Sequence, residues 1–239
     1  MTADLLVHLS GVRKAFGAAL VLDDIALDVH AGEAVALLGA NGAGKTTLLK
    51  ILATVWRPSR GTVVVAGHDC ARDAEGARRH VGLVAHGSHL YEDLTARENL
   101  TFWATLSGRP ADRARLDDAL AAVELDGVGD ERVRTFSAGM KRRLTLARVA
   151  LVPPRVLLLD EPSAGLDQRG KKWLEATLQA FKAGGGAIVM ATHSFGRELG
   201  VADRIAILTE GRIALDTARA ALSADDVQRL YALHAEGDA

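Results

Sequence analysis

The 239-residue chain suits one α/β domain or one domain with a substantial insertion, and its 49% apolar content supplies a sizeable core. Its 29 Lys and Arg nearly balance 30 Asp and Glu, which argues against a nucleic-acid binder relying on a large phosphate-neutralising surface. Cys70, the single cysteine, cannot close an internal disulfide, residues 1–10 lack the pattern of a secretory signal, and no stretch approaches the roughly 20 apolar residues that span a bilayer. A soluble cytoplasmic domain is expected, one that leaves membrane work to a partner.

In chain order, 5–12 and 21–29 read as early strands, and 33–38 as a third that ends at a glycine-rich turn. Residues 45–55 read as a helix, and 62–66 and 81–84 as further short strands. The pattern then turns helical over 95–107, 111–124 and 137–150. Thr95 with Glu98 fits a capping box, in which hydroxyl and carboxylate each satisfy a backbone donor. Residues 87–152 thus read as a helical subdomain inserted into a single 1–239 domain. Strands return at 156–160 and 187–191, where unbroken apolar runs suit a sheet buried on both faces. A hairpin over 204–209 and 212–215 and a helix over 225–233 complete the expectation. The alternation predicts an α/β core with a mostly parallel sheet and a more antiparallel N-terminal part.

Residues Gly39, Ala40, Asn41, Gly42, Ala43, Gly44, Lys45 and Thr46 match the G-x-x-x-x-G-K-[ST] phosphate loop without a mismatch, between a strand and a helix. Glycines let the loop curl so that backbone N–H groups face an anion, and the helix adds its positive end. The Lys45 ammonium can reach terminal phosphates, and the Thr46 hydroxyl suits Mg2+, a hard cation. Thr47 completes the candidate set at the helix start. The apolar run 156–159 carries Asp160 and Glu161 to the end of a strand, where open α/β sheets bind ligands. Asp160 is expected to hold Mg2+ through a water, and Glu161 to polarise the attacking water in phosphoryl transfer.

The segment Thr135-Phe136-Ser137-Ala138-Gly139-Met140-Lys141-Arg142-Arg143, shortly before the acidic strand, resembles the signature of ABC ATPases, usually written L-S-G-G-Q. Ser137 and Gly139 match it, whereas Phe136, Ala138 and Met140 depart from it. The resemblance covers nearly the whole chain and implies further roles. Phe16 sits where an aromatic stacks on adenine. Residues Ser163 to Asp167 resemble the loop coupling the two sites of a dimer, and His193 resembles the histidine that contacts the terminal phosphate. Such domains work as head-to-tail dimers, each ATP lying between the phosphate loop of one copy and residues 137–140 of the other. ATP binding closes the dimer, and hydrolysis opens it to drive an integral-membrane permease from the cytoplasmic face.

His86 stands where most of the family has a glutamine that contacts Mg2+; a neutral imidazole lacks the amide oxygen that suits a hard cation. The runs 82–86 and 94–100 resemble the ATPase subunit of the haem exporter of bacterial cytochrome c maturation, which often carries histidine there. A drug, lipid or other small-solute exporter is the alternative. A ribosome- or DNA-acting ABC ATPase usually has two cassettes or a long coiled-coil insertion, and this chain shows one cassette without heptads. The basic residues Lys141, Arg142, Arg143 and Arg148 fit a solvated helix face, so no nucleic-acid partner is expected.

Overall fold

The structure, a computed structural model, describes residues 4–85, 90–193 and 197–235. The chain divides into two compact units, Met1–Ala85 with Arg155–Pro162 and Lys171–Ala239, and His86–Pro154 with Ser163–Gly170. The expectation for 87–152 did not include the loop Ser163–Gly170, which the chain reaches only after the acidic strand.

The first unit is built on two sheets. In the smaller one, β1 (Leu5–Phe16) pairs antiparallel with β2 (Ala19–His30) and with β4 (Arg60–Val65), whose other edge takes β5 (His68–Asp69). The larger sheet has the order β10-β9-β3-β8-β7-β6, formed by β3 (Ala34–Leu38), β6 (Val81–Val84), β7 (Val156–Asp160), β8 (Ala187–Ala191), β9 (Arg204–Thr209) and β10 (Arg212–Ala218). All its pairings are parallel except the β9–β10 hairpin. This is the expected α/β fold with an antiparallel N-terminal part.

Sequence and burial agree most closely in the central strands. Every residue of β3, β7 and β8 is buried, as their unbroken apolar runs require between two covered faces. One apolar cluster joins Val7, Leu9 and Ile25 of the small sheet, Leu48 and Ile51 of α1 (Lys45–Leu52), and Leu158 and Val189 of the large sheet. At about 25 cal/mol per Å2 of apolar surface, such burial is the main force holding these layers together. Because β3, β8 and β7 are parallel neighbours, their C-terminal ends lie side by side. The phosphate loop follows the end of β3, Asp160 is the last residue of β7, and His193 lies just past the end of β8.

The short α2 (Ala74–Arg78) begins at Asp73, whose carboxylate accepts the Gly76 N–H at 2.9 Å. The unit also holds the C-terminal helix α7 (Ala224–Ala235).

The second unit contains α3 (Ala96–Leu106), α4 (Arg113–Ala121) and α5 (Ala138–Leu151), each with a polar side chain at its N-terminus. Thr95 and Glu98 form the full capping box, Asp112 accepts the Arg115 N–H, and Ser137 accepts the Met140 N–H. Arg97 of α3 pairs with Asp117 of α4 and with Asp130, tying the two helices together. The helix α6 (Gln168–Ala183) follows Asp167. Among the described residues no helix is long and apolar enough to cross a membrane.

Candidate functional site

The loop after β3 can be built only with glycine at two of its positions. A Cβ at Gly39 would lie 2.4 Å from the Leu208 carbonyl oxygen. At Gly44, φ is +107° and a Cβ would lie 2.7 Å from Leu22 Cδ2. Gly44 immediately precedes α1, whose first turn carries no acidic residue to compete for its N–H groups. Ala40, Asn41 and Gly42 are exposed, Ala43 is half-buried and Thr47 is buried.

Lys45 is buried and donates from Nζ to the carbonyls of Gly39 at 2.6 Å and Ala40 at 3.0 Å. Burial lowers its pKa, and the nearby Glu161 and Asp160 carboxylates oppose that shift. Thr46 Oγ1 donates to Asp160 Oδ2 at 2.8 Å, joining the phosphate loop to the end of β7.

Glu161 leaves that strand at φ 49°, a left-handed conformation that costs a non-glycine residue on the order of 1–2 kcal/mol. Its backbone N–H donates to Ala191 O at 2.9 Å, holding it against the end of β8. There Glu161 Oε1 lies 2.7 Å from His193 Nδ1, and Glu161 Oε2 accepts from Thr192 Oγ1 at 3.4 Å. Lys45, Thr46, Asp160, Glu161 and His193 are therefore gathered at adjoining strand ends of the first unit. Phe16, at the end of β1, is 43% exposed.

The donor set fits Mg2+. A hydroxyl and a carboxylate at 2.8 Å are hard oxygen ligands, and Mg2+ commonly takes only one or two protein ligands beside phosphates and water. Among the described residues no group of three His, Cys, Asp or Glu could hold a metal by itself. His86 lies outside the described residues.

In the second unit, Ser137, Ala138, Gly139 and Met140 open α5 and line a cleft of about 560 Å3 together with Leu166 and Asp167. Ser137 Oγ accepts the Met140 N–H at 3.2 Å, and Asp167 Oδ1 accepts the Gly170 N–H at 2.7 Å. Arg143 also faces the cleft, pairs with Glu124 at 2.6 Å and holds that carboxyl below its ordinary pKa.

A family model described as ABC transporter matches residues 22–164. The chain belongs to the ABC transporter family. It is an ABC-type ATPase subunit, and several known proteins resemble it over most of its length. A daunorubicin resistance ATP-binding protein of Streptomyces coeruleorubidus is 38% identical over 88% of this chain and 67% of its own. A Nod factor export ATP-binding protein I of Paraburkholderia xenovorans is 36% identical over 92% and 73%. A sulfate/thiosulfate import ATP-binding protein of Bordetella bronchiseptica is 39% identical over 87% and 60%. An ATP-binding cassette solved as a dimer in a post-hydrolysis state with ADP and Pi superposes with a TM-score of 0.81 at 26% identity, covering 90% of this chain and 99% of that one.

Sequence reasoning missed Thr192 and Glu124 in this ABC ATPase. Thr192 is fully buried directly after β8, a position where an uncompensated hydroxyl would be costly. Glu124 belongs to no motif, and only the fold pairs it with Arg143.

Proposed function

We propose that this chain is the ATP-hydrolysing motor of a transporter, acting as a head-to-tail pair on the cytoplasmic face of a membrane and driving a separate integral-membrane permease. The observation that carries this reading is the hydrogen bond from Thr46 Oγ1 to Asp160 Oδ2 beside Glu161. It joins the two halves of a phosphoryl-transfer site at one point.

In this reading the loop 39–44 and the α1 N-terminus hold the phosphates of ATP through backbone N–H groups, and Lys45 Nζ leaves the loop carbonyls to meet the terminal phosphates. Thr46 and Asp160 would hold Mg2+, which neutralises phosphate charge when bound. Glu161 accepts a proton from the attacking water, and His193 orients the Glu161 carboxylate and meets the terminal phosphate. Phe16 stacks on the base. Ser137 and the Gly139 backbone of a second copy close over the same ATP, with Asp167 coupling the two sites. The solved dimer of a related cassette supports this pairing.

Small-solute export is supported by relatives named for daunorubicin resistance and Nod factor export. A second reading, haem export in cytochrome c maturation, is favoured by the resemblance of 82–86 and 94–100 to that subgroup. The test is recovery of the tagged Glu161→Gln variant from its native membrane with ATP, followed by identification of the accompanying integral-membrane chain. A drug- or lipid-type permease supports the first reading, and a cytochrome c maturation permease the second. A ribosome or DNA complex with no membrane chain contradicts both.

A further inference from the structure

The side chain of Phe16 is held in place by a segment that no motif includes. Its ring meets that of Trp56 edge to face, with centroids 4.8 Å apart and planes at 72°. Each ring also faces an ammonium, Lys14 Nζ at 4.7 Å from the Phe16 centroid and Lys50 Nζ at 4.5 Å from that of Trp56. Lys14 Nζ is itself pinned, since it donates to the Arg57 carbonyl at 2.8 Å. Two further bonds tie the strand end to the same turn. Ser59 N donates to Arg13 O at 2.7 Å, and Ala15 N donates to Ser59 Oγ at 3.1 Å.

A packing role alone does not account for this arrangement. Phe16 has an aromatic neighbour, a fixed cation and a tethered backbone, yet it is 43% exposed. The ring is held between these neighbours and left partly open. An exposed phenylalanine free to change rotamer would lose that freedom on stacking against a ligand, and a ring already fixed loses little. A cation over an aromatic ring draws on its π electrons, which favours a large, electron-rich partner on the remaining surface.

We propose that Trp56 is a positioning residue for the nucleotide base. With Lys14 it holds the Phe16 ring as a preorganised platform that favours purine over pyrimidine triphosphates. This rests on the reading of Phe16 as the base-stacking residue.

The test compares steady-state hydrolysis of ATP and UTP by the parent chain and by Trp56→Ala, Trp56→Phe, Trp56→Leu and Phe16→Ala. Trp56→Ala should raise the KM for ATP roughly threefold to tenfold, change kcat less than about twofold, and narrow the preference for ATP over UTP. Trp56→Phe should restore the parent values, and Trp56→Leu should not. Equal rescue by Leu and Phe, or a fall in kcat with unchanged KM, would overturn the proposal in favour of simple packing. If Phe16→Ala raises KM and Trp56→Ala does not, the role of Trp56 fails while that of Phe16 stands. If Phe16→Ala also leaves KM unchanged, the stacking reading itself fails. Should Trp56→Ala not fold, the emission of Trp56 in a Trp103→Phe, Trp173→Phe background decides. A change on saturation with ATP supports the proposal, and no change contradicts it.

Discussion

His193 Nδ1 lies 2.7 Å from Glu161 Oε1, although 32 residues separate them in the chain. The contact exists because β7 and β8 are parallel neighbours and Glu161 turns off its strand in a left-handed conformation toward the end of β8. Removing the imidazole leaves the phosphate loop untouched but takes from the Glu161 carboxylate its 2.7 Å contact, with the 3.4 Å bond from Thr192 Oγ1 remaining. His193→Ala is therefore expected to lose roughly 10²-fold in turnover and to weaken binding of a fluorescent ATP analogue by no more than about tenfold, the scale of one lost phosphate hydrogen bond. Turnover at the parental rate would place His193 outside this role.

Lys45 is the only buried lysine among the described residues, and its hydrogen bonds go to loop carbonyls, with the Glu161 and Asp160 carboxylates nearby. Phosphate would replace those carbonyls with charged acceptors. Lys45→Ala should weaken ATP binding by about tenfold to a hundredfold, the scale of charge-assisted hydrogen bonds, as measured by equilibrium titration.

Ser137 separates a structural role from a functional one. As the N-cap of α5 it accepts the Met140 N–H, and Ser137→Ala should cost about 1 kcal/mol in chemical unfolding. Aspartate caps as well as serine, so Ser137→Asp should keep the stability of the parent. A carboxylate facing the phosphates of a partner's ATP should nevertheless abolish ATP-dependent pairing, measured by light scattering. A Ser137→Asp protein that pairs like the parent would reduce Ser137 to a cap.

The pKa of His80 lies below its ordinary 6.5, chiefly through burial and then through the neighbouring His68, Arg155 and Arg79. The His68 and His80 rings are stacked at 5.2 Å. As pH falls through 6.5 the unfolded chain takes up this proton first, so stability declines until pH passes the lower folded value. The His80 carbonyl accepts the N–H groups of Arg155 and Val156, so this loss bears on the start of β7. Denaturant unfolding on both sides of pH 6.5 should show the decline in the parent and a flatter profile in His80→Gln.

Legibility followed burial. The limits of β7 and β8 coincide with the expected 156–160 and 187–191, because a strand buried on both faces leaves an unbroken apolar run. β1 runs on to Phe16, past the expected 12, through exposed Arg13, which pairs with Arg60 by backbone alone. α1 ends at Leu52, before the expected 55, and Thr54 two residues on takes φ 56°. β5 and α2 are too short to show a period, and β5 exists only as a partner for β4. The phosphate loop and acidic strand were visible because their chemistry demands fixed spacing. Thr192 and Trp56 were not, because only the fold sets them against Glu161 and Phe16.

The most direct test is Mg2+-dependent phosphate release by the purified parent and by Glu161→Gln, with ATP binding measured on the same samples. The parent should turn over steadily, and the variant should bind ATP within about threefold of it while hydrolysing at a rate at least roughly 10²-fold lower. A Glu161→Gln protein that hydrolyses ATP at the parental rate would contradict the assignment of the proton-accepting carboxylate and the mechanism built on it.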